Sequence, residues 1–170
     1  LNVQFVLPAS ATNRLFTGLA SFNHIFVKYP YIPNRYDETT GIPIISLYGK
    51  NKKPSKDDMQ NIDILVFDLQ DVGVRFYTYL STLHYVLEAC AENDIQVLVL
   101  DRPNPNGHYI DGPILDTNFK SFVGLHPVPI VYAMTIGEYA KMINGERWIN
   151  DSCELEVIKI INLITRSIKK

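Results

Sequence analysis

The sequence lacks most of what would mark a specialised chain, and each gap removes a class of function. Its two cysteines, Cys90 and Cys153, lie far apart without metal-ligand spacing and leave the redox compartment open; Cys90 falls on an apolar helical stripe and reads as inert packing. A formal net charge of −2 gives no electrostatic case for nucleic acid or an anionic membrane. No apolar run approaches the roughly 20 residues a spanning helix needs, so no membrane span is expected. Neither Gly-x-Gly-x-x-Gly nor a P-loop occurs, and the usual phosphate cradle goes with them. His24 and His126 have no second ligand at a usable spacing, so no metal is expected and both read as surface or hydrogen-bonding residues. No cofactor is implied.

What is present is an ordinary globular profile. With 170 residues, 46% hydrophobic and 20% charged, the chain can fill one compact domain. Ten tyrosines and eight phenylalanines against one tryptophan suit either a well-filled core or a sugar-stacking surface.

The informative stretch is Ile62 to Asn106. A continuous apolar run, Ile62 to Phe67, predicts a strand buried on both faces and stops at Asp68. After a turn at Gly73, Leu80, Leu83, Val86, Leu87 and Cys90 recur at helical spacing. Asn93-Asp94 ends that helix, and a second apolar run, Ile95 to Leu100, stops at Asp101. Strand, helix, strand in this order predicts two parallel strands with a right-handed crossover. Both aspartates then leave the sheet at one edge, and open parallel sheets bind ligands outside the carboxyl ends of their strands. Asp68, Asp71, Arg75, Tyr77 and Tyr79 follow one strand end; Asp101, Arg102, Asn104 and Asn106 follow the other. The fold class expected is α/β, a Rossmann-like, mostly parallel sheet flanked by helices.

The remaining segments read more plainly. Leu1 to Ala11 could be the remnant of a signal peptide, with Ala9-Ser10-Ala11 as its small-residue site, although it has no basic start. Lys28 to Gly41 reads as a loop, Ile42 to Tyr48 as a strand, Lys50 to Lys53 as a basic turn with a solvated face, and Pro54 onward as a short helix. Arg102 to Val131 carries five prolines and no clear element. It is either a binding loop over the sheet edge or a stiff connector to an edge strand at Pro129 to Tyr132. Thr135 to Glu138 is a capping box opening a helix with Ile136, Tyr139, Ala140 and Ile143 inward and Asn144-Gly145 as its stop, so Glu138 reads as a cap. Leu155 to Leu163 reads as a last strand.

Several blocks in fixed order carry a family resemblance: Asp68-Leu-Gln-Asp71-Val-Gly73-Val-Arg75-Phe-Tyr77-Thr-Tyr79, Leu100 to Pro105, Gly112-Pro113, Ser121 to Gly124, Pro127-Val-Pro129, Met134 to Glu138 and Asn144-Gly145-Glu146. From about Gly41 to Ile149 the chain resembles the exo-β-N-acetylmuramidase (NamZ-type) family, formerly a domain of unknown function. The resemblance implies a glycosidase that releases terminal N-acetylmuramic acid from peptidoglycan fragments, in the cell envelope, periplasm or outside, through a cleft between a Rossmann-like N-terminal domain and a smaller second domain. It divides the chain into a degenerate segment 1–40, a Rossmann-like core 41–150, and a truncated segment 151–170 with the second domain absent.

The departures bear on activity. The family has Pro-Glu-His-Gly-Phe before this core, and alignment through Leu19 and Phe26 puts Asn23 at the Glu position with His24 retained; Tyr132-Ala133 stand where the family often has His-Gly. An amide has no proton to give a leaving oxygen, so Asn23 implies lost general acid catalysis. Asp68, Asp71, Asp101 and His24 are then the remaining catalytic candidates, with Asp111 a further carboxylate. Arg75, Tyr77, Tyr79, Arg102, Asn104, Asn106 and Tyr132 are the substrate-binding candidates, the arginines offering forks to the lactyl carboxylate. Structural readings stand beside these: Asp68 and Asp101 capping loop N–H groups, Arg75 pairing with Asp71, the tyrosines packing. The alternatives to an active enzyme are a sugar-binding relative without turnover, or an α/β domain for a phosphorylated small molecule.

Overall fold

A computed structural model describes residues 3–7, 25–27, 34–38 and 41–160. Seven strands and two α-helices follow one another as β1 (Val3–Leu7), β2 (Ile25–Val27), β3 (Arg35–Tyr36), β4 (Pro43–Ser46), β5 (Ile64–Phe67), α1 (Tyr79–Ala91), β6 (Gln96–Leu100), α2 (Ile136–Gly145) and β7 (Leu155–Ile158). They build one sheet in the order β3-β4-β2-β1-β5-β6-β7. Every pairing is parallel except β3 with β4. Apart from that antiparallel edge, the chain winds outward from β1 to β4 on one side and from β5 to β7 on the other, which is the doubly wound Rossmann order. The expected fold class is therefore the one found.

The core lies between the sheet and the two helices, α1 packing on β6 and α2 on β6 and β7. Leu65, Phe67, Leu83, Leu87, Val97, Val99, Tyr139 and Ile143 are all fully buried in it, each large side chain contributing on the order of 2 kcal/mol. The α1 pattern places Leu80, Leu83, Val86, Leu87 and Cys90 inward as its spacing predicts. It stops because Asp94 turns left-handed at φ 54° while the Asn93 side chain donates to the carbonyl of Ala89 at 2.8 Å. Thr135 and Glu138 form the expected reciprocal capping box on α2. Among the described residues no helix is long and apolar enough to cross a membrane.

Several expectations change. Val3–Leu7 pairs with β2 on one side and β5 on the other, so these residues belong to the centre of the sheet, while Ala9-Ser10-Ala11, the small-residue site of the leader reading, lie outside the described residues. The segment read as a loop holds β3, paired to β4. After Pro54, Ser55 and Asp58 cap each other reciprocally, but Asn61 at φ 57° ends the turn before a helix can propagate. Lys53 is not merely solvated: its ammonium contacts Glu88 at 2.8 Å and Glu92 at 2.7 Å, tying that turn to α1. Pro129 to Tyr132 is not a strand; Val131 makes only isolated bridges to Val74 and Asp111, because prolines at 127 and 129 interrupt any ladder. β7 ends at Ile158, and residues 161–163 of the predicted strand lie outside the described residues.

Candidate functional site

The winding reverses between β1 and β5, and the carboxyl edge there is where a doubly wound sheet receives its ligand. Asp68 stands at that point, its N–H donating to the Val6 carbonyl at 3.0 Å. Asp101 leaves the neighbouring strand β6 at the same edge, its N–H donating to the Ile158 carbonyl at 3.0 Å. Parallel pairing of β5 with β6, Phe67 opposite Val99, thus brings both acids to one rim.

Their roles diverge there. Asp68 takes the Arg102 guanidinium on one oxygen, from Nε at 2.6 Å and Nη2 at 2.5 Å. Asp101 turns away, accepting from the Thr135 hydroxyl at 2.9 Å and the Gly137 N–H at 2.8 Å. A carboxylate on the first turn of α2 complements the exposed N–H groups and the helix dipole. A Cβ at residue 137 would collide with the Asp101 carboxyl and with Val157, which is why glycine stands there.

Asp71 is buried at 5% exposure. One oxygen accepts the Gly73 N–H at 2.7 Å and the Tyr132 hydroxyl, while Oδ1 has no partner among the described residues. Burial pushes its carboxyl above the usual range, against the Tyr132 and backbone hydrogen bonds that favour the anion. Tyr132 is itself buried at 3%, and burial followed by the neighbouring Asp71 drives its hydroxyl far up. Its ring therefore packs and offers no open face to a sugar.

The two asparagines knit loops together. Asn104 donates to the Met134 carbonyl at 2.8 Å and accepts from the Asn106 N–H at 2.7 Å. Asn106 donates to the Val72 carbonyl at 2.8 Å. Gln70, which the sequence did not single out, bridges the Asp71 carbonyl at 2.7 Å and the Pro103 carbonyl at 2.9 Å. Arg75 does not pair with Asp71; its Nη1 holds the carbonyls of Pro113 at 2.9 Å and Val128 at 2.5 Å. It thereby pins the proline-rich segment over the rim. That segment is a built part of the site's surroundings, with a single 3-10 turn at Thr117–Phe119.

What faces outward is a short set. Arg102 keeps 41% of its side chain exposed and Asp68 keeps 14%. Tyr77 and Phe76 are exposed, Tyr77 meeting Tyr79 edge-on at 4.7 Å. Tyr109 is exposed beside Asn106, its hydroxyl 3.5 Å from the amide oxygen. Asn23 and His24 lie outside the described residues; Ile25, which follows them, opens β2 at the amino edge of the sheet.

His126 is buried, not on the surface. Its Nε2 lies 3.0 Å from Nδ1 of His84 and its Nδ1 lies 3.1 Å from the Tyr139 hydroxyl. Position 84 shares the α1 face of Leu80 and Leu87, a signal that a histidine there is interior. Among the described residues no group of three or more metal-ligating side chains forms.

Comparison with known proteins agrees with this fold. The profile of the family described as "Exo-beta-N-acetylmuramidase NamZ, N-terminal" matches residues 25–167. Over 125 residues the chain is 54% identical to the peptidoglycan beta-N-acetylmuramidase NamZ of Bacillus subtilis (strain 168), covering 73% of this chain and 30% of that protein. Two crystal structures of DUF1343 family proteins from Bacteroides fragilis NCTC 9343 superimpose well. One has 42% identity and a TM-score of 0.79 over 92% of this chain and 46% of its own; the other has 36% identity and 0.82 over 93% and 44%. The chain thus spans less than half the length of each of these relatives.

Proposed function

The chain belongs to the exo-beta-N-acetylmuramidase NamZ N-terminal family, and from that premise we propose that its carboxyl edge is one wall of a glycoside hydrolase site for terminal N-acetylmuramic acid on peptidoglycan fragments. The observation that carries this reading is the Asp68–Arg102 pair at the reversal point of the sheet. Asp68 occupies Nε and Nη2 of the guanidinium, and Nη1 has no partner among the described residues. An arginine already oriented by one carboxylate and open on its other side suits a second one, and muramic acid differs from its glucosamine neighbour by a lactyl carboxylate. Tyr77 and Tyr109 supply exposed aromatic surface on the loops that follow β5 and β6.

Hydrolysis needs a proton donor for the leaving oxygen and an anion or base across the ring. Asp68, held by Arg102, fits the anionic role. Asp71 is too deeply buried to touch a sugar and acts instead by holding Tyr132 and the Gly73 turn. Asp101 is committed to α2. No described residue of the rim supplies the proton donor: the position aligned with the family glutamate carries Asn23, which lies outside the described residues and precedes β2 in the chain, and in the longer relatives the second half of the chain would furnish the opposite wall. Such a substrate puts the reaction in the cell envelope or outside the cell.

Asn23 supports a second reading, a sugar-binding relative that does not turn over. Incubation with a chromogenic β-N-acetylmuramide separates the two. Release of chromophore that falls on Asp68→Asn supports the hydrolase, and saturable binding without release supports the binder. Both readings fail if neither occurs, or if the lactyl-free N-acetylglucosaminide serves equally well.

A further inference from the structure

Cys90 and Cys153 are distant in sequence but line one cavity of about 290 Å³. Cys90 sits in the last turn of α1 and is fully buried; Cys153 stands just ahead of β7 at 5% exposure. A single residue connects them: the Ile95 N–H donates to the Cys90 carbonyl at 3.0 Å, and the Ile95 carbonyl lies 3.9 Å from the Cys153 Sγ. Ala91 and Ile95 also line it, and Asp94, Ser152 and Glu154 complete the lining and are exposed, so the cavity opens to solvent between the end of α1 and the turn before β7. Two thiols with no third ligand among the described residues do not make a metal site.

We propose that Cys90 and Cys153 form a reversible dithiol pair whose oxidation staples the last turn of α1 to the start of β7. The position gives the bond a purpose. β7 is the outermost strand and pairs only with β6 in the described sheet, so its attachment otherwise depends on one ladder, on α2 packed against it and on Asn144, which holds the Cys153 backbone at 2.9 Å on both N–H and carbonyl. The oxidant is a small disulfide, RSSR. The Cys153 thiolate attacks one of its sulfurs and expels RS⁻; the Cys90 thiolate then attacks the Cys153 sulfur of the mixed disulfide and expels the second RS⁻. Each RS⁻ takes up the proton lost by one cysteine thiol, so two cysteines and RSSR become one protein disulfide and two RSH, the cysteines losing two electrons. Cys153 leads because it keeps 5% exposure at the cavity whereas Cys90 is fully buried; burial pushes the Cys153 thiol up to about 12, and burial, then the neighbouring Cys153, raises Cys90 well above its ordinary value. Such thiols react slowly at neutral pH and faster as pH rises.

The test is to incubate the folded protein with oxidised glutathione at roughly pH 8.5, then weigh it after alkylation under denaturing conditions. The expected product is lighter than the reduced, unalkylated chain by about 2 Da, carries no alkyl groups and melts roughly 5–10 °C higher; reductant reverses all three. Cys90→Ala should stop at one glutathione adduct on Cys153. Two alkylated thiols in the treated wild type, or a disulfide that forms only when denaturant is present, overturns the proposal without touching the sugar-site reading, which a muramide assay on the Cys90→Ala protein checks separately.

Discussion

Mild acid is expected to destabilise this protein through its buried histidine pair. The His126 ring stacks on Trp148 with centroids 4.4 Å apart and planes 15° apart, while its nitrogens face His84 and the Tyr139 hydroxyl. One nitrogen in the His84–His126 contact must accept, so a proton added there would set two N–H donors against each other and create a buried cation. Burial first, then His84 and Lys120, hold His126 down to about 3. Burial also lowers His84, with Lys120 and Lys53 adding to the effect and Glu88 opposing it. An unfolded histidine takes its proton near pH 6.5, so the folded state is at full strength above that value and loses stability as pH falls from there toward about 3. At pH 5 His126 alone costs about 2 kcal/mol, from about 1.4 kcal/mol per unit over about 1.5 units. For a chain of this size that is roughly 4–8 °C of melting temperature. Asp71 works in the opposite direction, since burial raises its carboxyl and the folded protein gains stability as it protonates; the series therefore stops at pH 5. Melts followed by circular dichroism and by Trp148, the single tryptophan, give the slope. His126→Phe should flatten it. A wild-type melting temperature unchanged between pH 7.5 and 5, or an equal slope in the variant, refutes the reasoning.

Three further outcomes follow from the rim. Arg102→Ala should weaken N-acetylmuramic acid binding by about 10- to 100-fold, the worth of a charge-assisted contact, and leave N-acetylglucosamine unaffected in calorimetry; equal losses for both sugars would remove the lactyl carboxylate from the account. Asp101→Ala strips Thr135 and the α2 N-terminus of their acceptor and should lower the urea midpoint by the equivalent of about 2–3 kcal/mol; an unchanged midpoint would show that α2 needs no such anchor. Gly73→Ala combines φ +80° with a Cβ driven into the Asn104 amide and should cost about 2 kcal/mol or more, seen as faster proteolysis within residues 102–131; wild-type protease resistance would contradict the packing of these loops.

Much of the fold was legible because short-range signals agreed with the long-range arrangement. The runs before Asp68 and Asp101 stop where the sheet stops, and Thr135 and Glu138 cap the helix they announce. Less legible was anything set by distant partners. Val3–Leu7 has too little length to distinguish a central strand from the apolar part of a leader, and only its pairing with β2 and β5 decides. The turn after Pro54 has a helix cap, but Asn61 terminates it and no sequence rule forces a left-handed residue there. His126 looks like any polar residue among prolines until His84, Tyr139 and Trp148 close around it.

The polar density after β5 and β6 has a structural cause that a sequence cannot separate from a functional one. Two irregular loops crossing at a sheet edge expose backbone groups that must be paired once water is excluded. Gln70, Arg75, Asn104 and Asn106 are consumed in that pairing, each donating to a main-chain carbonyl, and Asp101 is consumed by α2. Side chains of these types look the same in a string whether they bind a sugar or a carbonyl. The Asp68–Arg102 pair stands apart because the guanidinium keeps an open flank. A loop lock is satisfied by the protein itself, whereas an oriented cation with donors unused among the described residues, at the reversal of a parallel sheet, keeps a flank that an anionic group fits.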